Sequence, residues 1–326
     1  MDLRQLKHFV AVLEHGNMLR AAETINVTQP ALSKSIRNLE DQLGVKLLER
    51  SPRGVSPTRY GLQLLDRAKL ILNQTRKAEL EIRDLMEGIR GHLSIGFGAN
   101  FAGLMLPHAI LKVVGERPGV TANIVSRPFD ELLPMLRQGE LDLAVVVFPP
   151  EYPDDEFIYE PLIVSEFKVV CRPQHPLVGT KGRISLSQLA SLDWAVFDRP
   201  QATATLFVTA FLNRDVTPPN PVIQTSSVFF LKAALREGDY LSFVPPSLVH
   251  DELESGALVV LDTEMPLTRF KAGIVYRAND ILPAAAMSVV EELRHLREQI
   301  GNSNSPGVRF ARAAGVKKTV PAASKN

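Results

Sequence analysis

Apolar residues at Leu3, Leu6, Phe9, Val10 and Leu13 recur at i, i+3, i+6, i+7 and i+10, which predicts an amphipathic helix ended by Gly16. Asn17 is placed to cap the next helix. In the stretch from Met18 to Arg37, Ala21, Ala22 and Ile25 share one helical face, and Ala31, Leu32, Ile36 and Leu39 form a second. The small residues at 21 and 22 let another helix cross closely. Between the two, Asn26-Val27-Thr28 reads as a turn with Val27 plugging the corner. Thr28 caps a helix that begins at Gln29 and accepts Pro30 in its first turn, where the missing amide donor would be an orphan anyway. Residues 18–37 therefore read as a helix-turn-helix whose second helix ends at Leu43-Gly44; the alternative is an ordinary helical hairpin with a polar outside.

Val45 to Arg50 is short and β-capable, and Ser51 to Pro57 reads as a turn with a return strand, together a wing. Thr58 caps a long helix to Gly88. Its seam, Leu64, Ala68, Ile71, Thr75, Ala78, Ile82, Leu85 and Ile89, alternates spacings of 4 and 3, and only Thr75 breaks its apolar character. That is a heptad pattern, and it favours a coiled-coil partner over packing on its own domain, because the helix lies between two domains with no core of its own. A two-fold dimer would present paired reading helices to two half-sites.

Past Gly91 strands and helices alternate. Strands are expected at His92 to Gly98, Val120 to Ser126 and Leu141 to Phe148, with helices at Leu104 to Val114 and Phe129 to Leu136. A second series places strands near Glu166 to Cys171, Trp194 to Phe197, Val222 to Thr225 and Leu241 to Val244. Its helices fall near Thr205 to Asn213, Val228 to Arg236 and Ser247 to Ser255, before a strand at Lys271 to Tyr276 and a last helix from Pro283 to Ile300. This grammar implies mostly parallel sheets covered by helices. Chain crossings near Pro161-Leu162 and Met265-Leu267 would leave two α/β lobes with a cleft between them. The expected organisation is a winged helix-turn-helix at 1–58, a linker and dimerisation helix at 59–90, a two-lobed domain at 91–301 and a tail at 302–326, small, polar, basic and disordered.

Charge sharpens this picture. Residues 1–90 carry 15 Lys and Arg against 11 Asp and Glu, net +4; residues 91–301 carry 17 against 25, net −8; residues 302–326 carry 5 against none. A basic head on an acidic body suits a protein that meets nucleic acid with one end. Cys171 is the only cysteine, so no internal disulfide exists and a CxxC metal or redox site is excluded. The N-terminus has no apolar core of signal-peptide length, and the longest apolar run, Leu143 to Pro150, is too short to span a bilayer. A cytoplasmic protein with no membrane partner is expected.

The outward residues of the second helix are Gln29, Ser33, Lys34 and Arg37, able to hydrogen-bond base edges and neutralise phosphates, with Thr28 at the helix start. Arg50, Arg53 and Arg59 flank or tip the wing, within reach of phosphates or the adjacent minor groove. The segments LRQLKHFVAV, AAETINVTQPALSKSIRNLEDQLGVKLLER and PRGVSPTRYG together resemble the N-terminus of LysR-type transcriptional regulators. The resemblance covers head, wing and linker helix without a gap. It implies that Gln29, Pro30, Ser33 and Lys34 contact DNA, with Arg50 and Arg53 assisting from the wing. Where many relatives have Ser-Phe, this chain has Asn17-Met18, which keeps a cap and an apolar residue. The second region resembles the family's effector domain, similar to type 2 periplasmic binding proteins, through Leu93 to Gly98, RQGELDLAVV at 137–146 and REGDYLSFVPPSLV at 236–249. Asp239-Tyr240 stands where relatives usually carry Gly-Gly or Gly-Ile.

No enzyme is expected. The glycine-rich turn from Gly96 to Gly103 suggests a dinucleotide fingerprint, but Phe101 occupies the third glycine's place and Ser126-Arg127 stands where a ribose-binding acid belongs. No P-loop, GxSxG, HExxH or clustered metal-ligand set occurs, so no metal or cofactor is expected beyond a small-molecule co-inducer. Loops at the carboxyl edges of open sheets hold ligands. The effector candidates are accordingly Asn100, Phe101, Arg127, Phe129, Phe148, Thr203, Thr205 and Ser226, with Ser226 and Ser227 also reading as helix caps. Arg127 would favour a carboxylate or phosphate. The reading is a transcription regulator that binds double-stranded promoter or operator DNA and a small effector, as a homo-dimer or homo-tetramer, with RNA polymerase as a further partner. A solute-binding protein would need a signal sequence, a metabolic α/β enzyme a catalytic set, and an architectural DNA binder neither an acidic body nor a cleft.

Overall fold

The computed structural model describes residues 1–51, 54–87, 91–98, 101, 105–148, 155–197, 201–266, 268–301 and 308–310. The head opens with α1 (Leu3–His15), α2 (Met18–Thr24) and α3 (Gln29–Leu43). Each start is locally encoded. Asp2 and Gln5 form a capping box on α1, Asn17 Oδ1 accepts the Leu19 amide at 2.8 Å, and Thr28 Oγ1 accepts the Ala31 amide at 3.4 Å. Gly16 and Gly44 end α1 and α3 in the left-handed conformation, and Asn26 turns the chain between α2 and α3 with φ of 55°. Phe9, Val12, Ala21, Ala22, Leu32, Ile36, Leu39 and Leu47 fill the core. Each large side chain among them contributes about 1.5–3 kcal/mol by leaving water. Ala31, expected on the buried face, is exposed, because the face turned inward is set by Leu32, Ile36, Leu39 and the carboxylate of Glu40.

Strands β1 (Leu48–Ser51) and β2 (Gly54–Pro57) pair antiparallel as the wing. The wing is fixed to the head where the Val55 amide donates to the Gly16 carbonyl at 2.8 Å; a Cβ on Gly54 would stand 2.6 Å from that same oxygen. Helix α4 (Arg59–Glu87) follows, capped by Thr58, whose Oγ1 accepts the Gly61 amide at 3.1 Å. The seam divides. Leu64 and Ala68 pack into the head's core, Ile71 and Ile82 are exposed, and the Leu85 side chain and Ile89 lie outside the described residues.

The body's first lobe takes β3 (His92–Phe97), α5 (Met105–Glu116), β4 (Thr121–Ser126), α6 (Phe129–Arg137), β5 (Leu143–Val147) and β6 (Phe157–Glu166). The second takes β7 (Lys168–Cys171), α7 (Leu186–Ala190), β8 (Ala195–Phe197), α8 (Gln201–Leu212), β9 (Ile223–Thr225), α9 (Val228–Glu237) and β10 (Ser242–Val244). It continues with a 3-10 turn at Pro246–Val249, α10 (His250–Glu254) and β11 (Val259–Val260). The chain returns to the first lobe with β12 (Arg269–Arg277), α11 (Ala284–Gly301) and β13 (Val308–Phe310).

Lobe 1 holds a six-stranded sheet in the order β13-β6-β12-β5-β3-β4, and lobe 2 holds β10-β7-β11 beside β8-β9. Only β3 with β4 and β3 with β5 run parallel in lobe 1; the other three neighbours are antiparallel, which corrects the expectation of a mostly parallel sheet. The reason is connectivity. A helix crossover keeps β3, β4 and β5 parallel, whereas β6 and β12 are the outgoing and returning passes between lobes. The outgoing crossing falls at Phe167, not at Pro161-Leu162, which lie inside β6; the return spans Met265 and Pro266. The two crossings touch, the Phe167 amide donating to the Thr268 carbonyl at 3.2 Å. The expected helix at Ser247 begins instead as the 3-10 turn. Within the tail expected to be disordered, Val308–Phe310 pairs with Ile163–Ser165 and covers the edge that β6 would otherwise present, while residues 302–307 and 311–326 lie outside the described residues.

At the β12 bulge opposite Pro161-Leu162, a Cβ on Gly273 would stand 2.0 Å from the Glu160 carbonyl and 2.7 Å from the Leu162 amide nitrogen, both backbone atoms that cannot swing aside. Gly273→Ala is therefore expected to cost about 1–3 kcal/mol, read as a lower thermal unfolding midpoint of the full chain.

Candidate nucleic-acid interface and ligand cleft

Two buried polar groups hold α3 from behind. His8 Nδ1 and Ser35 Oγ share a hydrogen bond at 2.8 Å, and Glu40 accepts the amides of Leu47 at 2.9 Å and Leu48 at 3.2 Å together with Lys46 Nζ at 2.7 Å. Burial is the largest influence on Glu40 and by itself raises the carboxyl's pKa. Lys46 and the two amides outweigh it, so the net pKa lies below the ordinary value. Burial, reinforced by Arg4, holds His8 below its ordinary value, with Lys7 adding in the same direction against Asp2. Sequence reasoning missed both groups; the one signal was a charged residue at an inward-facing helical position.

The opposite face of α3 is exposed at Gln29, Lys34 and Arg37, with Ser33 half-buried beside them and Thr28 and Pro30 exposed at the helix start. Lys34, Arg37 and, on β1, Arg50 are free of ion pairs among the described residues. Arg53 lies outside the described residues. Arg59 is committed elsewhere: its guanidinium lies over the Tyr60 ring, 4.5 Å from the centroid, and bonds to the hydroxyl.

In lobe 1 the parallel strands β3, β4 and β5 bring their carboxyl ends to one edge, where the Gly98 amide donates to Val145 and the Arg127 amide to Phe97. Phe101 and Phe148 at this edge are buried, Phe101 beside Met105 and Leu106, Phe148 edge-on to Tyr159 at 5.5 Å. Phe129 is half-buried on the core beneath α6. Arg127 is exposed, donates to its own neighbour Ser126 at 3.1 Å and stands 3.5 Å from Glu131. Asn100 lies outside the described residues.

In lobe 2, β8 and β9 are parallel, and a parallel bridge between Trp194 and Leu241 aligns β10 with them. Their carboxyl ends share an edge with the start of α8 and α9. Thr205 and Ser226 are exposed there; the Thr203 side chain lies outside the described residues. The cap of α9 is Ser227, which accepts the Phe230 amide at 3.2 Å. The loop after β10 adds Ser247, whose buried hydroxyl has no hydrogen-bond partner. Nothing in the sequence pattern marked it. Among the described residues no group of three His, Cys, Asp or Glu could hold a metal, and Cys171 is buried, its thiol pushed up to about 12 by burial and by Asp239. No described helix is long and apolar enough to cross a membrane.

A winged head with an open basic helix face, a long linker and a two-lobed binding body define a ligand-responsive DNA-binding regulator. Residues 3–62 match the bacterial regulatory helix-turn-helix protein, lysR family, and residues 86–297 match the LysR substrate binding domain. The chain belongs to the LysR family of transcriptional regulators, with a DNA-binding head and an effector-binding domain, and is not an enzyme. It is 34% identical over 288 residues to the SDS degradation transcriptional activation protein of a Pseudomonas species, covering 87% of this chain and 93% of that one. Among solved structures, full-length OxyR from Pseudomonas aeruginosa superposes with a TM-score of 0.61 at 24% identity, over 90% of this chain and 95% of that one. Full-length CbnR complexed with its target DNA gives 0.61 at 23%, over 90% and 99%. These two show the shared fold.

Proposed function

We propose that Gln29, Pro30, Ser33, Lys34 and Arg37 of α3, begun by Thr28, read an operator in the major groove, with Arg50 and Arg53 meeting the backbone from the wing. The observation that carries this reading is the row of exposed, uncommitted polar and cationic side chains on the one face of α3 turned away from the core. The protein acts as a homo-dimer or homo-tetramer in the cytoplasm, in contact with RNA polymerase. The exposed Ile71 and Ile82 of α4 support the pairing, since Leu64 and Ala68 of the same seam are already used by the head. The small effector sits between the lobes against Asn100, Arg127, Phe129, Thr203, Thr205 and Ser226, with Ser247 as an added contact, while Phe101 and Phe148, buried in the core, back that edge instead of touching the ligand directly. A ligand that binds one lobe arrangement more tightly biases the spacing of the paired heads.

Gel-shift titration against DNA upstream of the chain's own or a neighbouring gene tests the reading. A salt-sensitive, sequence-selective shift is expected. In Lys34→Ala, the slope of log affinity against log salt should fall by about one if Lys34 meets a phosphate, or preference at one base pair should relax at a cost of about 1–3 kcal/mol if it meets a base edge. Unchanged affinity, slope and selectivity would remove Lys34 from the interface.

A further inference from the structure

A cavity of about 690 Å³ opens where α1, α4 and lobe 1 meet. It lies at the opposite end of lobe 1 from the effector edge, since its wall takes His92 and Ser94 from the amino end of β3 and Leu141 from just before β5. Its size falls within the range of small-molecule sites. Four apolar side chains line it, Val10 from the head, Leu72 from α4, and Met135 and Leu141 from lobe 1.

The charges around it are not all satisfied. Lys69 pairs with Glu14 at 3.4 Å, and Asn73 donates to the Gln138 carbonyl at 2.8 Å. Arg76 on α4 and Glu140 on lobe 1 also line the cavity, yet neither side chain has an ion pair or hydrogen bond among the described residues, and they do not reach each other. A lone anion here would meet Glu140, and a lone cation would meet Arg76. A molecule carrying both charges satisfies both walls.

We propose that this cavity is a second small-molecule site, distinct from the interlobe cleft, and that it takes a zwitterion of the α-amino-acid class. The carboxylate lies on Arg76, the ammonium on Glu140 and the side chain on the apolar patch of Val10, Leu72, Met135 and Leu141. Because the walls come from head, linker and body, an occupant braces the three in the arrangement seen here and so changes how freely the head moves against lobe 1.

The test is calorimetric titration of the full-length protein, near neutral pH, with each of the standard α-amino acids. At least one is expected to bind with saturation. Its N-acetyl derivative, which lacks the ammonium, and its amide, which lacks the carboxylate, should each bind roughly tenfold more weakly or worse, as should the parent amino acid to Arg76→Gln and to Glu140→Gln. The two derivatives probe the unaltered protein, so the result does not depend on the variants folding. No binding by any amino acid overturns the proposal, and so does binding that both variants leave undiminished, which would place the ligand elsewhere. Neither outcome touches the interlobe reading, whose residues are separate.

Discussion

Replacing Glu40 with alanine is expected to loosen the DNA-reading head by about 2–4 kcal/mol, because the change strands two buried amides that the carboxylate now satisfies. The amides of Leu47 and Leu48 carry the chain from α3 into the wing, and Glu40 is their partner at 2.9 and 3.2 Å. Lys46 adds little to that figure, since its side chain is 70% exposed and solvent screens the pair. Hydrogen exchange at the two amides, followed in the full chain, should accelerate about 30- to 1,000-fold where it proceeds by local opening of the head. Glu40→Gln keeps an acceptor for the amides and should restore most of the protection. Exchange unchanged in Glu40→Ala would mean that the wing junction is held by packing alone. The pH dependence has a definite sign. The folded Glu40 carboxyl lies below its ordinary 4.5, so its contribution is complete above that value and is lost as pH falls through the folded pKa. His8 acts earlier. Its folded pKa lies below the ordinary 6.5, so the unfolded head takes up a proton first, and stability declines as pH falls from 6.5 towards the folded value.

The head was largely legible in the sequence because its determinants are local. Gly16, Asn17, Thr28, Gly44 and Thr58 each act on amides or dihedrals within a few residues, and caps of that kind are read directly from spacing. Local patterns do not encode strand direction. β6 passed unrecognised because Pro161 interrupts its pattern, and its antiparallel course follows from its role as a pass between lobes. The heptad spacing of α4 was real, but periodicity could not say that Leu64 and Ala68 would be taken by the head while Ile71 and Ile82 stayed open. The reading face of α3 followed from the core face opposite it. Ser247 was invisible for the opposite reason: an unpartnered hydroxyl is a fact of three-dimensional surroundings, and a serine after two prolines looks like any loop.

Removing the Asp142 carboxylate is expected to uncouple the linker helix from the body. Asp142 is 3% exposed at the start of β5; one oxygen accepts the Ser94 amide of β3 at 2.8 Å and the other accepts Lys77 Nζ of α4 at 2.5 Å. β3 and β5 are parallel neighbours whose far ends carry Phe101 and Phe148, so one buried carboxylate fastens α4 to the amino ends of two strands that bear the effector edge. Asp142→Ala leaves the Ser94 amide and the mostly buried Lys77 ammonium without an acceptor, at a cost of about 2–4 kcal/mol. Asp142→Asn retains an acceptor for Ser94 and loses the charge that holds Lys77, and it should cost less while loosening α4. A double-mutant cycle between Lys77→Met and Asp142→Asn, measured on unfolding of the full chain, separates the contact from its surroundings. A coupling of about 1.5–3 kcal/mol is expected, above the roughly 0.2–1 kcal/mol typical of exposed pairs, because Lys77 is 19% and Asp142 2% exposed in their side chains. A coupling below about 0.5 kcal/mol would show that α4 rests on lobe 1 through other contacts, such as Asn73 with Gln138, Gln138 with Asp66, Gln74 with Asp280 and Arg67 with Glu156, and that head and body communicate there instead.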